Sequence, residues 1–164
     1  MRYAQIRPFD VANGDGIRVS IFVTGCTHHC YNCFNEEYQS FEFGAVWGEE
    51  ETRRVIAYLK NPAVAGLTLL GGEPMQNPEL AEIVRTIRQE VDKNVWVYSG
   101  YTYEQIVSHP GRKALLDVCD VLVDGLYVEE QRDLKLRFRG SANQRIIDLK
   151  ASRAAGEAVI LQYE

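Results

Sequence analysis

Short apolar, β-branched segments recur along this chain, and each runs into a glycine or a small polar residue before a stretch of helical period begins. Ile17 to Val23 (IRVSIFV) ends at Thr24-Gly25, and Gly66 to Leu70 (GLTLL) runs into Gly71-Gly72-Glu73-Pro74. Val95 to Ser99 (VWVYS) meets Gly100, and Asp120 to Asp124 (DVLVD) meets Gly125. Helical patterns fill the intervals. Glu49-Glu50-Glu51 place negative charge on a helix N-terminus, and Thr52, Val55, Ile56 and Leu59 follow at helical spacing until Asn61-Pro62. Asn77 is the expected N-cap of the next helix with Pro78 at its first position, followed by a stripe of Leu80, Ile83, Val84, Ile87 and Val91. Further helices are expected from about Thr102 to Ser108 and through Lys113 to Val118. Apolar strands alternating with helices predict an α/β fold, with a mainly parallel sheet covered on both faces and right-handed crossovers.

Length narrows this. A closed barrel of eight β/α units takes about 250 residues and at least about 200, so 164 residues allow only an incomplete one. No repeat, low-complexity tract or linker divides the chain, and residues 1–164 read as a single domain. Beyond Leu126 the pattern thins: Gly140 to Asn143 reads as a turn and Arg145 to Leu149 as strand or helix. Residues 150–164 read as a tail whose closing AVILQYE is an edge strand or a mobile end. Ligands in such folds gather beyond the carboxyl ends of the strands, which puts the cysteine loop after Val23, Gly71 to Pro74, Ser99-Gly100 and Asp124-Gly125 on one rim.

The formal net charge of −5, with no basic stripe in view, disfavours direct nucleic-acid binding. No apolar run approaches the roughly 20 residues of a membrane span, and MRYAQIRPFD lacks the layout of a signal peptide, so a cytoplasmic protein is expected. Three of the four cysteines, Cys26, Cys30 and Cys33, crowd into eight positions, while Cys119 lies far downstream. Disulfide frameworks are not spaced that way; clustered thiols in a reducing compartment point to metal or redox chemistry.

Cys26-x-x-x-Cys30-x-x-Cys33 offers three thiolates from one tight loop, enough for three corners of a 4Fe-4S cubane with one iron open. A zinc site completed by His28 or His29 is an alternative, although structural zinc usually clips together separated segments. A redox pair of Cys30 and Cys33 would leave Cys26 without a role. Cys119, among Leu115, Leu116 and Val121, reads as a buried inert thiol. Gly71 and Gly72 permit close backbone approach to a ligand, with Glu73 beside them, and in isolation would be an ordinary strand-to-helix turn. Ser99 and Asp124 are candidate contacts to a ligand's carboxylate or ribose, or else simple strand terminators. Asn13-Gly14-Asp15-Gly16 lacks the strand-then-helix context of a dinucleotide fingerprint and reads as a turn near the site or a partner.

The cysteine loop after a first strand, Gly-Gly-Glu-Pro after a later one and an incomplete β/α barrel resemble the radical S-adenosylmethionine superfamily. The finer resemblance is to the activases of anaerobic (class III) ribonucleoside-triphosphate reductases. It is carried by Asn13-Gly14, Gly16 and Arg18, the loop from Gly25 to Cys33 and Trp96-Val97 with Gly100-Tyr101. Val121 to Gly125 and Arg139-Gly140-Ser141-x-Asn143-Gln144 complete it. Asn32 departs from the aromatic or glycine frequent before the last cysteine, and Phe34 stands where tyrosine is frequent.

The resemblance implies a 4Fe-4S cluster on Cys26, Cys30 and Cys33, with its open iron chelating S-adenosylmethionine. The adenine would pack near Asn32 and Phe34, and Gly71, Gly72, Glu73, Ser99 and Asp124 would hold the rest of the molecule. It further implies a flavodoxin- or ferredoxin-type electron donor and, as target, a glycine in a loop of the reductase's large subunit. Chemistry of that kind is borne by the cofactor, so no acid/base pair is needed, and none is evident. Other readings are an activase of another glycyl-radical enzyme, such as pyruvate formate-lyase, a small-molecule enzyme of the superfamily, or a non-catalytic zinc or iron–sulfur module.

Overall fold

The computed structural model describes residues 1–30, Cys33 and 36–163; Asn32 and Phe34 therefore lie outside the described residues. The chain runs β1 (Arg2–Asp10), β2 (Arg18–Val23), β3 (Ala45–Val46), α1 (Glu49–Leu59), β4 (Gly66–Gly71), α2 (Leu80–Glu90) and β5 (Asn94–Tyr98). It continues through α3 (Tyr103–Val107), α4 (Pro110–Leu116), β6 (Val121–Asp124), β7 (Arg145–Asp148) and α5 (Leu149–Ala155). The described strands form one mixed sheet in the order β3-β1-β2-β4-β5-β6-β7. Its four central strands, β2, β4, β5 and β6, are parallel, as their helical crossovers require. Outside them, β1, β3 and β7 pair antiparallel.

Pleating splits these strands into two unlike faces. One carries Val19, Ile21, Val23, Leu67, Leu69, Val95, Val97, Leu122 and Ile147, and the buried stripes of the helices join it in one core. Residues one step along the same strands face the other way: Arg18, Ser20, Phe22, Thr68, Leu70, Trp96, Tyr98 and Val123. A small aromatic cluster covers part of that face, where Trp96, Val123 and Ile146 pack against Tyr98, Phe138, Leu161 and Tyr163. Both faces are covered, as the apolar strands predict, but by different means. All six residues of β2 are buried, yet alternate ones are buried against polar groups, a loop and the C-terminal segment.

The polar part of this face is a closed network. Arg18 is fully buried, and burial pushes its guanidinium down to about 10. Among the described residues no carboxylate pairs with it at salt-bridge distance; instead Nε donates to Thr68 Oγ1 at 2.7 Å, Nη1 to the Asp15 carbonyl at 2.9 Å and Nη2 to Asn94 Oδ1 at 2.6 Å. These bonds offset a desolvation cost that would otherwise expel the charge. Thr68 Oγ1 donates to the Asn13 carbonyl, and Asn13 Nδ2 donates to Asp10 Oδ2, which also accepts from Ser20 Oγ at 2.7 Å. The Asn13-to-Gly16 turn thus forms part of the network closing one end of this face.

Other differences have local causes. Helix α2 starts at Leu80, not at Pro78, because Asn77 ends the short 3-10 turn Pro74–Gln76. The Asn77 side-chain amide donates to the carbonyls of Thr24 and Glu73, which removes it from capping. Arg145–Asp148 resolves as a strand, and Asp148 then caps α5 by accepting from Ala151 N–H. The final segment makes one antiparallel bridge, Ile147 to Ile160. No helix among the described residues is long and apolar enough to cross a membrane.

Candidate functional site

A cavity of about 440 Å³ opens at the carboxyl ends of the parallel strands. Cys26, Cys30 and Cys33 border it, as do Gly71, Gly72, Glu73, Ser99 and Gly100, so residues far apart in sequence meet on one rim. The β2–β4 register brings this about by setting Val23 beside Gly71, so the cysteine loop and the glycine turn leave the sheet together. Gly72 N–H donates to the Val23 carbonyl and Glu73 N–H to the Gly25 carbonyl, at 2.8 and 2.7 Å. Gly71 holds φ +110°, and a Cβ there would lie 2.4 Å from the Val23 carbonyl oxygen. A Cβ at Gly72 would meet the Gly25 carbonyl at 2.6 Å. Only glycine permits this approach.

Glu73 is buried, and its carboxylate is already surrounded. Oε1 lies 2.7 Å from His28 Nε2 and accepts from Gly100 N–H at 2.7 Å. Oε2 accepts from Ser99 Oγ at 2.9 Å and Met75 N–H at 3.0 Å. One carboxylate therefore ties the cysteine loop, the glycine turn and the end of β5 together. Gln76 adds a second tie, accepting from Thr27 N–H and donating to Thr27 Oγ1 and Tyr101 OH.

The donor set fits an iron–sulfur group. The thiols border a shared cavity, and burial pushes the Cys26 thiol up to about 11, with Glu73 and the neighbouring cysteines adding to the rise. Burial also raises Cys30. Bound iron would reverse that balance, since a metal deprotonates the thiol it binds. His28 Nε2 is engaged by Glu73, and His29 Nδ1 lies 3.3 Å from Gln39 Oε1, so each histidine of the loop has a ring nitrogen taken by the protein. Among the described residues, no three His, Cys, Asp or Glu side chains are gathered to hold a single ion. Cys119 is fully buried in the helix-side core, and burial drives its thiol far above the ordinary value.

Asp124 sits apart from the cavity lining. It is 1% exposed, accepts from Tyr103 N–H at 2.7 Å, and is gripped by Arg145 through Nε at 3.0 Å and Nη2 at 2.6 Å. Its neighbour Gly125 does reach the cavity. Sequence reasoning missed the inward residues Phe22, Leu70, Tyr98 and Val123, which line the wall. Alternation counted back from each strand end would have found them. The Tyr98 hydroxyl is buried without a partner among the described residues, as is Arg139 Nε.

Residues 12–147 of this chain match the family model described as the 4Fe-4S single cluster domain. The chain is 40% identical over 150 residues to the anaerobic ribonucleoside-triphosphate reductase-activating protein of Vibrio cholerae, covering 88% of this chain and 96% of that one. The Escherichia coli K12 protein of the same name is 33% identical over 156 residues, covering 92% of this chain and all of its own. That of Enterobacteria phage T4 is 35% identical over 150 residues, covering 89% and 93%. The chain belongs to the family of anaerobic ribonucleoside-triphosphate reductase-activating proteins.

Proposed function

We propose that this chain is an activase that generates the glycyl radical of an anaerobic ribonucleoside-triphosphate reductase. In this reading Cys26, Cys30 and Cys33 hold a 4Fe-4S cluster in a partial β/α barrel spanning residues 1–164. When bound, the cluster supplies the electron that reductively cleaves S-adenosylmethionine to a 5′-deoxyadenosyl radical. The observation carrying this reading is that three thiols from one loop and the Gly71-Gly72-Glu73 turn share one cavity wall.

The chain's own residues bind, orient and exclude water. Gly71 and Gly72 present main-chain groups to the methionine end of the ligand, and Glu73 holds Ser99 and the Gly100 N–H in place beside it. Phe22, Leu70 and Val123 keep the interior wall apolar, which shields a carbon radical. Asn32 and Phe34 remain the adenine contacts of this reading. Asp124 acts one step removed, by fixing Arg145 and the start of α3 so that Gly125 meets the cavity. The electron donor is of flavodoxin or ferredoxin type, and clustered free thiols suit a reducing cytoplasm.

Anaerobic reconstitution with iron and sulfide tests the reading. Reduction should release 5′-deoxyadenosine, and mixing with the reductase should give a glycyl-radical signal in electron paramagnetic resonance. A colourless, zinc-loaded protein without that turnover refutes it. A radical formed only on pyruvate formate-lyase reassigns the partner.

A further inference from the structure

One segment reverses the acidic character of the chain. Residues 132–139 (RDLKLRFR) carry Arg132, Lys135, Arg137 and Arg139 against Asp133 alone, in a protein of net charge −5. Lys135 and Arg137 alternate with Leu134, Leu136 and Phe138, while Arg139 joins the cavity lining. Leu136 and Phe138 turn to the cavity, while Lys135 and Arg137 are exposed and absent from its lining. Neither cation, nor Arg139, has a carboxylate at salt-bridge distance among the described residues.

The strap is fixed rather than loose. Phe138 adopts φ +66°, and its ring packs edge-on to Trp96 and Tyr163 at 5.4 and 5.1 Å. The Arg137 guanidinium lies over the Phe138 and Tyr163 rings at 4.8 and 5.6 Å. At its base, Gln144 Oε1 accepts from Gly140 N–H and Ser141 N–H, and Gln144 Nε2 donates to the Gly125 carbonyl. Leu134, Leu136 and Phe138 line the same cavity as Cys26, Cys30 and Cys33. The cationic surface of the strap thus sits on the wall of the cavity that the candidate cluster ligands border.

We infer that this strap, centred on Lys135 and Arg137, is the docking surface for an acidic one-electron donor protein. The inference rests on the activase reading, which requires an electron from outside the chain. An acidic donor is repelled by the molecule's overall charge, so the strap selects where it lands, on the wall of the cavity that the thiols share. One electron passes from the donor's reduced flavin or iron–sulfur centre to the oxidised cluster; the donor is oxidised by one electron, and no proton or bond is exchanged.

The test uses the full-length, cluster-loaded protein with a purified acidic flavodoxin kept reduced, compared with dithionite. The Lys135→Glu/Arg137→Glu variant should lose at least about tenfold of flavodoxin-driven 5′-deoxyadenosine release at low salt, within the range that electrostatic steering spans. Dithionite-driven release should stay at the wild-type level. Lys135→Gln/Arg137→Gln should lose less, and its rate should depend less on salt than the wild-type rate does. Matching cluster absorbance and thermal midpoint in both variants exclude misfolding as the cause. Three results overturn the inference: undiminished flavodoxin-driven release, an equal loss with dithionite, or normal release with selective loss of the glycyl radical. The last assigns the strap to the radical acceptor. A wild-type protein that releases nothing with dithionite refutes the activase reading and the inference with it.

Discussion

The two faces of the sheet are built from the same strands under opposite demands. On the helix side, alternate residues such as Ile21, Leu69 and Val97 meet helical stripes, and apolar burial does the work. On the cavity side, their neighbours Arg18, Ser20 and Thr68 form a hydrogen-bonded network, and Phe22, Leu70 and Tyr98 line an open space. The first face tolerates any well-packed apolar set. The second depends on particular donors and acceptors, because each buried polar group left unpaired costs about 1–3 kcal/mol. Function is thus concentrated where the sheet gives up apolar packing.

Cysteine offers the sharpest test of this division. Alanine at Cys26, Cys30 or Cys33 should each abolish 5′-deoxyadenosine release and cluster absorbance, whereas Cys119→Ala should keep both. Loss of the cluster in the Cys119 variant would break the comparison outright. Next in size is Leu69→Ala, which should cost about 2–5 kcal/mol in denaturant unfolding while leaving cluster content per folded molecule unchanged.

Asp124→Asn should come third. It weakens charge-assisted bonds to Arg145 and Tyr103 that are worth about 1.5–3 kcal/mol, yet affinity for S-adenosylmethionine, measured by calorimetry on the loaded protein, should hold. A large affinity loss without a stability loss would move Asp124 into the ligand site. The smallest effect is expected at Asp10. Burial raises its carboxyl, but hydrogen bonds from Asn13, Ser20 and Ala12 outweigh that and lower it overall. Its stabilisation is therefore complete above the unfolded-state value of about 3.9 and fades as pH falls through the lower folded value. Asp10→Asn should flatten that acid limb in pH-dependent thermal melts and leave the neutral melt less affected than Leu69→Ala does.

The sequence makes the helix side easy to read. Ile17 to Val23, Gly66 to Leu70 and the Glu49-to-Leu59 helix lie where periodicity puts them, because one buried stripe dictates each. Strand β1 escapes notice: RYAQIRPFD mixes charges with Pro8, and the strand is only half buried. Asn77 misleads because its side chain finds two carbonyls across the fold that local sequence does not reveal. The convergence of the cysteine loop, Gly71 to Glu73 and Ser99 is legible from strand-end position alone. That Asp124 turns away is not, since its partner Arg145 lies 21 residues further on, in a strand that pairs with β6.

The saturation of Glu73 bears on how this protein acquires and survives the loss of iron. In zinc fingers the metal must arrive before the chain can fold. Here the Glu73 carboxylate ties the cysteine loop to the end of β5 through protein groups, a tie that does not depend on metal ligation. Oxidative stripping of the inorganic core should then leave a folded, refillable apoprotein, making recovery after exposure to air a matter of iron and sulfide supply and not of refolding.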